Sequence, residues 1–169
     1  GFDIPTLFYC LPGNSTFIAK KELFSIPILG YWMNEINCIS LDRSSPRKGL
    51  ASIKKAVEII KSGINPIIFP EGTRTKDPDG KMLPFKKGSL KIAIKSGAKV
   101  VPIAINGTRL VFQSTYKEDR VPVAVTIGET IDYSTLSQEE QEDFSLFLQK
   151  KVEKMYESSQ KKDQRSDNI

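Results

Sequence analysis

The stretch "PIIFPEGTRT" (66–75) passes from an apolar run into an acid, a glycine, a hydroxyl and a guanidinium: Glu71, Gly72, Thr73 and Arg74. Those residue types suit an anion site. An Arg fork can hold a phosphate bidentately while a Lys supplies a point charge, and a glycine lets backbone approach a ligand closely. Glu71 would repel a phosphate, so its expected work is to hold Arg74 or a lysine in place, or to accept a substrate hydroxyl. Lys86 and Lys87 stand just ahead of "GSLKIAIKSG" (88–97), a segment with helical spacing, and the free N–H groups of a helix start also attract phosphate. Arg43, which ends "INCISLDR" (36–43), adds a further cation. Singly, each feature is also what an ordinary polar turn or basic helix start looks like; their weight depends on meeting at one place.

The elements that must position them follow from periodicity. Strands are expected at 15–20, 36–43, 64–69, 98–105 and 121–128, where short apolar or β-branched runs are bounded by turn residues. Helices are expected at 25–35, with Ser25 as N-cap and Pro27 in the first turn, and at 44–63, 88–97 and 137–159. Gly63 and Gly97 are suitable C-terminal stops, and Ser137 with Glu140 has capping-box spacing. Strands alternating with helices imply βαβ units, hence an α/β domain with a mixed, mostly parallel central sheet sandwiched by helices. In such sheets ligands bind beyond the carboxyl ends of the strands. Arg43, residues 71–74 and the helix start after Lys87 all fall at that edge.

Composition narrows the choices. At 169 residues the chain is long enough to bury a core, and it is read as one domain over 1–157, incomplete at its N-terminus, with a polar, disordered tail over 158–169. Lys and Arg outnumber Asp and Glu by 25 to 20, a surplus that suits anionic partners without choosing among them. Nucleic acid is not expected, because the basic residues are spread through helices and not interleaved with aromatics in a stripe. Cys10 and Cys38 suggest neither a metal site nor a disulfide framework and are read as buried thiols. No apolar run approaches the roughly 18 residues of a membrane span. The chain has no histidine, so no Ser-His-Asp or Cys-His pair can be assembled from it. There is also no P-loop and no dinucleotide-binding glycine pattern.

Four ordered blocks resemble the glycerolipid acyltransferases of the lysophosphatidate acyltransferase type. "DIPTLF" (3–8) and "FIAKKEL" (17–23) look like the part of the first block, H-x-x-x-x-D, that follows its histidine, with Asp3 in the aspartate position. "ISLDR" (39–43) is similar to the second block, although Ser40 stands where the family usually has an aromatic. Glu71-Gly72-Thr73-Arg74 is the third block entire, "VPIAI" (101–105) resembles the fourth, and "PFKKG" (84–88) looks like the usual link between them. The histidine of the first block would lie five positions before Asp3, upstream of Gly1.

The resemblance implies a glycerol-3-phosphate acyltransferase-like αβα fold. It implies transfer of a fatty acyl group from acyl-CoA or acyl-carrier protein to the sn-2 hydroxyl of 1-acyl-glycerol-3-phosphate, giving phosphatidate for phospholipid synthesis. The histidine would be the general base and Asp3 its partner, so the 169-residue chain alone is expected to be inactive. Arg43, Glu71, Gly72, Thr73, Arg74 and Lys87 would form the phosphate site, and Val101 and Pro102 would line the acyl-donor path or the core. No metal or other cofactor is expected, because the thioester is already activated. Work at the cytoplasmic face of a membrane follows from the substrates, either peripherally or through an anchor upstream of this chain. "FSIPILGYWM" (24–33) is either core or a lipid contact. Another glycerolipid acceptor, or a non-catalytic module that binds anionic lipid or nucleic acid, are the alternatives.

Overall fold

The computed structural model of the chain describes residues 2–11, 13–42, 44–77, 80–112 and 121–166; Arg43 lies outside them. In chain order the elements are α1 (Asp3–Cys10), β1 (Ser15–Lys20), α2 (Leu29–Glu35), β2 (Ile39–Leu41), α3 (Pro46–Lys61), β3 (Asn65–Ile67), α4 (Lys87–Ser96), β4 (Ile103–Asn106), β5 (Ala124–Ile127), α5 (Gln138–Glu142) and α6 (Phe144–Ser166). They fall into two compact units, residues 13–98 and residues 1–12 together with 99–169.

In the unit of residues 13–98 the three strands are parallel, with β1 in the middle of the order β2–β1–β3. Ile18 faces Ile39 in one pairing and Phe17 faces Ile67 in the other. Between β2 and β3 the chain crosses over through α3, as parallel strands require. Ser45 caps α3 by accepting the Lys48 N–H, and Pro46 occupies its first turn, where a missing N–H costs nothing. α4 ends at Gly97, whose φ of +67° is the left-handed conformation that glycine adopts without strain. Ile39 of β2, Ala56 of α3 and Ile92 of α4 form the buried centre, with Ile18, Ile53, Ile59, Ile60 and Ile68 packed around them. That contact fastens both helices to the sheet. Thr16, fully buried on β1, keeps its hydroxyl satisfied by donating to the Ile36 carbonyl at 2.8 Å. Cys38 is buried in this unit, while Cys10 of the other unit is only half-buried, less than the sequence reading expected; both are free thiols.

The segment expected as one helix over 25–35 is two pieces. A 3₁₀ turn covers Lys21–Ser25, and α2 starts only at Leu29. Between them the Leu29 N–H donates to the Pro27 carbonyl at 2.7 Å across Ile28, whose φ and ψ are 65° and −57°. This is the positive-φ γ-turn, rare and strained, the more so at a β-branched residue. Ser25 therefore caps nothing in α2. Gly30 lies so near the Phe24 carbonyl that a Cβ there would collide with it, which draws α2 tightly against the 3₁₀ turn.

In the other unit β4 and β5 form an antiparallel pair, Ile103 facing Ile127 and Asn106 facing Ala124. Val100 and Ile131 extend it by one bridge. The sheet content is thus mixed, as expected of this α/β class. Helix α6 packs along the pair through Phe144 and Leu148, both buried. The predicted capping box is present: Ser137 Oγ accepts the Glu140 N–H, and the Glu140 carboxylate accepts the Ser137 N–H. The helix expected over 137–159 breaks at Asp143, whose carboxylate accepts from Ser145 Oγ and the Leu146 N–H and so restarts the chain as α6. α6 then runs to Ser166, through residues read from sequence as a disordered tail. Adding residues to an existing helix is cheap, and Gln, Lys and Arg are good helix formers.

Truncating Ile92, 2 % exposed, to Ala is expected to cost about 2–5 kcal/mol because the cavity cannot refill. Leu50→Ala on the exposed side of α3 should cost under about 1 kcal/mol. Urea unfolding of the two variants checks the contrast.

Candidate active site

The acidic-glycine-hydroxyl-arginine turn lies where β3 hands the chain to the C-terminal edge of the parallel sheet. Phe69 stacks on Phe17 with ring centroids 6.2 Å apart, which fixes the exit of the strand. The Gly72 N–H then donates to the Phe69 carbonyl at 3.1 Å, closing a four-residue turn with Pro70 at its second position, where its fixed φ belongs. Gly72 itself has φ +67°, a conformation in which a Cβ is strained.

Two further hydrogen bonds clamp this turn to the extended stretch ahead of α4. The Lys86 N–H donates to the Pro70 carbonyl at 2.9 Å, and Glu71 Oε2 accepts the Leu83 N–H at 2.7 Å. Sequence reasoning gave Glu71 a cation or a substrate hydroxyl to hold; the structure adds a backbone amide. The negative charge is thereby engaged in fixing the loop. The side chain of Lys86, the N-cap residue of α4, makes no capping bond, and the helix end brings its partial positive charge to the edge where Lys86 stands. Thr73, Arg74, Lys86 and Lys87 are exposed there. Glu71, Gly72, Thr73, Arg74 and Lys87 are therefore brought together around one backbone clamp.

Arg43 is not among the described residues. The chain on either side of it leaves β2 at the same edge of the sheet, since β2 and β3 both run parallel to β1. Asp42 shapes that exit. Its carboxylate accepts the Ser44 hydroxyl at 2.6 Å and the Ser44 N–H at 2.9 Å, and pairs with Lys21 at 3.2 Å. The two Ser44 bonds, and after them Lys21, hold its pKa well below the ordinary 3.8.

Asp3, Val101 and Pro102 belong to the other unit. Asp3 opens α1, where a carboxylate complements the helix dipole. Its Oδ1 accepts a 2.6 Å hydrogen bond from Thr108 Oγ1. Sequence reasoning missed Thr108, although "NGTR" (106–109) after an apolar strand echoes the polar turn at 71–74 and could have flagged it. Pro102 is buried against Gly128, whose N–H donates to the Pro102 carbonyl at 2.9 Å, while Val101 is 46 % exposed. Among the described residues there is no group of three or more metal-ligating side chains, and no helix is long and apolar enough to cross a membrane.

A helix start, a glycine turn and clustered cations at the carboxyl edge of a parallel sheet suit a phosphate-bearing ligand. Residues 1–106 match the family described as Acyltransferase, and the chain belongs to it. The chain is similar to a chloroplastic 1-acyl-sn-glycerol-3-phosphate acyltransferase, BAT2, of Brassica napus, with 42 % identity over 106 residues, 63 % of this chain and 30 % of that protein. A 1-acyl-sn-glycerol-3-phosphate acyltransferase of Borreliella burgdorferi is 30 % identical over 156 residues, 91 % of this chain and 62 % of the relative. The crystal structure of the 1-acyl-sn-glycerophosphate acyltransferase PlsC from Thermotoga maritima superposes with a TM-score of 0.71 at 31 % identity, covering 94 % of this chain and 61 % of that one. The fold is that of this acyltransferase. The chain spans about a third of the plant relative and about three fifths of the bacterial ones.

Because the folded pKa of Asp42 is depressed, its stabilising effect is present above the ordinary 3.8 and is lost as pH falls below it. The melting temperatures of the protein and its Asp42→Asn variant should differ near neutral pH and converge as pH drops below that value. A difference that persists in acid would contradict the assignment.

Proposed function

We propose that this chain is the catalytic domain of an enzyme that acylates the sn-2 hydroxyl of 1-acyl-glycerol-3-phosphate, using acyl-CoA or acyl-carrier protein as donor and yielding phosphatidate. The observation that carries the reading is the Glu71–Arg74 turn, clamped beside the start of α4 where Arg74, Lys86 and Lys87 are exposed, an arrangement that favours a phosphate. The names of the relatives supply the acceptor.

The chemistry follows. A hydroxyl attacks a thioester slowly at neutral pH unless a base removes its proton. In this reading the base is a histidine five positions before Asp3, upstream of Gly1, and Asp3 holds that imidazole in the tautomer whose other nitrogen faces the substrate. Arg43, Arg74 and Lys87 grip the phosphate of the acceptor. Gly72 and Thr73 give the loop its close approach. The proton passes from the hydroxyl to the imidazole and then to the departing thiolate, and no cofactor is required.

One assay series with lysophosphatidate and an acyl thioester tests this. Full-length protein should form phosphatidate, and residues 1–169 alone should be slower by about 10²–10⁴. Arg74→Ala in the full-length protein should raise the acceptor KM or lower kcat/KM by about 10–100-fold, with Arg74→Lys restoring little because a bidentate grip is lost. Turnover of glycerol-3-phosphate in preference to lysophosphatidate would move the assignment to another acceptor.

Work at the cytoplasmic membrane face is the second part of the proposal, favoured by the segment around α2. Ile28 is 76 % exposed, Tyr31 64 % and Trp32 61 %, with Leu23, Ile26 and Leu29 also exposed beside them. Most of the stretch read as core or lipid contact is therefore outside. A contiguous exposed apolar patch marks an interaction surface, and Trp and Tyr are the aromatic residues that settle at a lipid interface. Exposed Lys20 and Lys21 flank the patch. Trp32 is the only tryptophan, so its emission reports directly. On adding anionic phospholipid vesicles it should shift to the blue and be quenched by brominated lipid, and Ile28→Gly should weaken that response without lowering the melting temperature, because it relieves the strained turn. Unchanged emission would count against lipid contact here.

A further inference from the structure

We infer that Thr108 is a positioning residue for the reaction: its hydroxyl sets the orientation of the Asp3 carboxylate and, through it, of the base. This rests on the reading of Asp3 as the partner of an upstream base. Three observations support it.

The first is the choice of acceptor. Thr108 is buried, 8 % exposed, and its Oγ1 donates to Asp3 Oδ1 at 2.6 Å across 105 positions of sequence. A buried hydroxyl must find a partner, and a backbone carbonyl usually serves, as Ile36 does for Thr16. Thr108 instead engages a carboxylate in the short geometry of a charge-assisted bond.

The second is where Thr108 is mounted. It stands just past β4, whose last pair, Asn106 with Ala124, joins it to β5. Gly107 between them has φ +93°, and a Cβ there would run into the Pro122 carbonyl oxygen. The Leu110 N–H closes the turn on the Gly107 carbonyl at 3.0 Å. The hydroxyl is therefore carried by a residue that joins a paired strand to a hydrogen-bonded turn.

The third is what Asp3 itself sits on. It is in the first turn of α1, a helix with one buried residue, Leu7, and no side-chain cap at its start. Such a short helix is weakly stable alone, and an Asp side chain there has rotamer freedom to lose. A bond from a rigid strand end to a carboxylate on a lightly anchored helix transfers order in one direction, from Thr108 to Asp3. An oriented imidazole depends on that order, because a base misplaced by a fraction of an ångström loses much of its rate. The Asp3 carboxylate can accept from more than one donor, so the bond from Thr108 is compatible with a second one from an imidazole.

The test uses the full-length protein with lysophosphatidate and an acyl thioester. Thr108→Val keeps the volume and removes the donor, and Thr108→Ser keeps the donor. The Val variant should lose about 10–100-fold in kcat with both KM values within about twofold, as loss of an orienting partner typically does, and the Ser variant should recover to within about threefold of the parent. The acid limb of the kcat/KM profile should move in the Val variant and not in the Ser variant. Thr108→Ala serves as a second donor-free variant should Val not fold. In the Asp3→Asn background Thr108→Val should cost nothing further. An equal loss in the Ser and Val variants, a loss confined to KM, or a further loss in the Asn background would overturn the inference. Full activity of Asp3→Asn itself would overturn the role given to Asp3, and the inference with it, and is distinguishable from the other results because it needs no change at Thr108.

Discussion

Two backbone amides govern how the loop between β3 and α4 is built. The Lys86 N–H on the Pro70 carbonyl and the Leu83 N–H on the Glu71 carboxylate close a loop of more than ten residues onto its own beginning. Without them the segment between β3 and α4 would be free to swing, and the cations at 74, 86 and 87 would be scattered charges on a basic surface. With them, the loop entropy is lost during folding and not during substrate binding. The acid in the third block is thus compatible with a phosphate site: its charge is directed at the loop, and the arginine two residues beyond the glycine is left exposed.

The clamp works only if α4 is itself fixed, and this ties the site to the core. Ile92 lies one and a half turns into α4 and meets Ile39 and Ala56 at the centre of the sheet–helix packing. The same burial that stabilises the unit therefore sets the height and direction of the helix start. In the other unit the equivalent order comes from the antiparallel pair, through Gly107 and Thr108, and reaches the carboxylate at residue 3 by a side chain. The loop at 71–87 is held by backbone bonds, and the carboxylate at residue 3 by a hydroxyl.

Much of this was written in local sequence. Ser15–Lys20 was readable to the residue, because a β-branched run lay between Gly13-Asn14 and charge. α3 was marked by Ser45, Pro46 and Gly63, α4 by Gly97, and α5 by the Ser137–Glu140 box, each a local signal with a mechanism. The βαβ alternation put residues 71–74 and 87 at the carboxyl edge of the parallel strands, where the structure has them. What sequence hid was non-local. α1, "DIPTLFYC", has neither a cap nor a clear stripe and buries only Leu7. The break at Ile28 depends on a γ-turn that no β-branched residue advertises, and the restart at Asp143 on a cap inside an otherwise regular stripe. β4 begins at Ile103, later than its apolar run, since pairing with β5 and not hydrophobicity sets its start. The Thr108–Asp3 bond spans 105 positions, and although "NGTR" echoes the turn at 71–74, nothing local says which carboxylate its hydroxyl meets.

The two thiols divide between the two units, Cys38 enclosed beside the parallel sheet and Cys10 half-covered at the end of α1. Alkylation of an enclosed sulfur must wait for local opening, so its rate measures the free energy of that opening. Cys38 is thus a chemical clock for the parallel-sheet unit, and mass spectrometry of its labelled peptide would time how that unit breathes without any engineered probe.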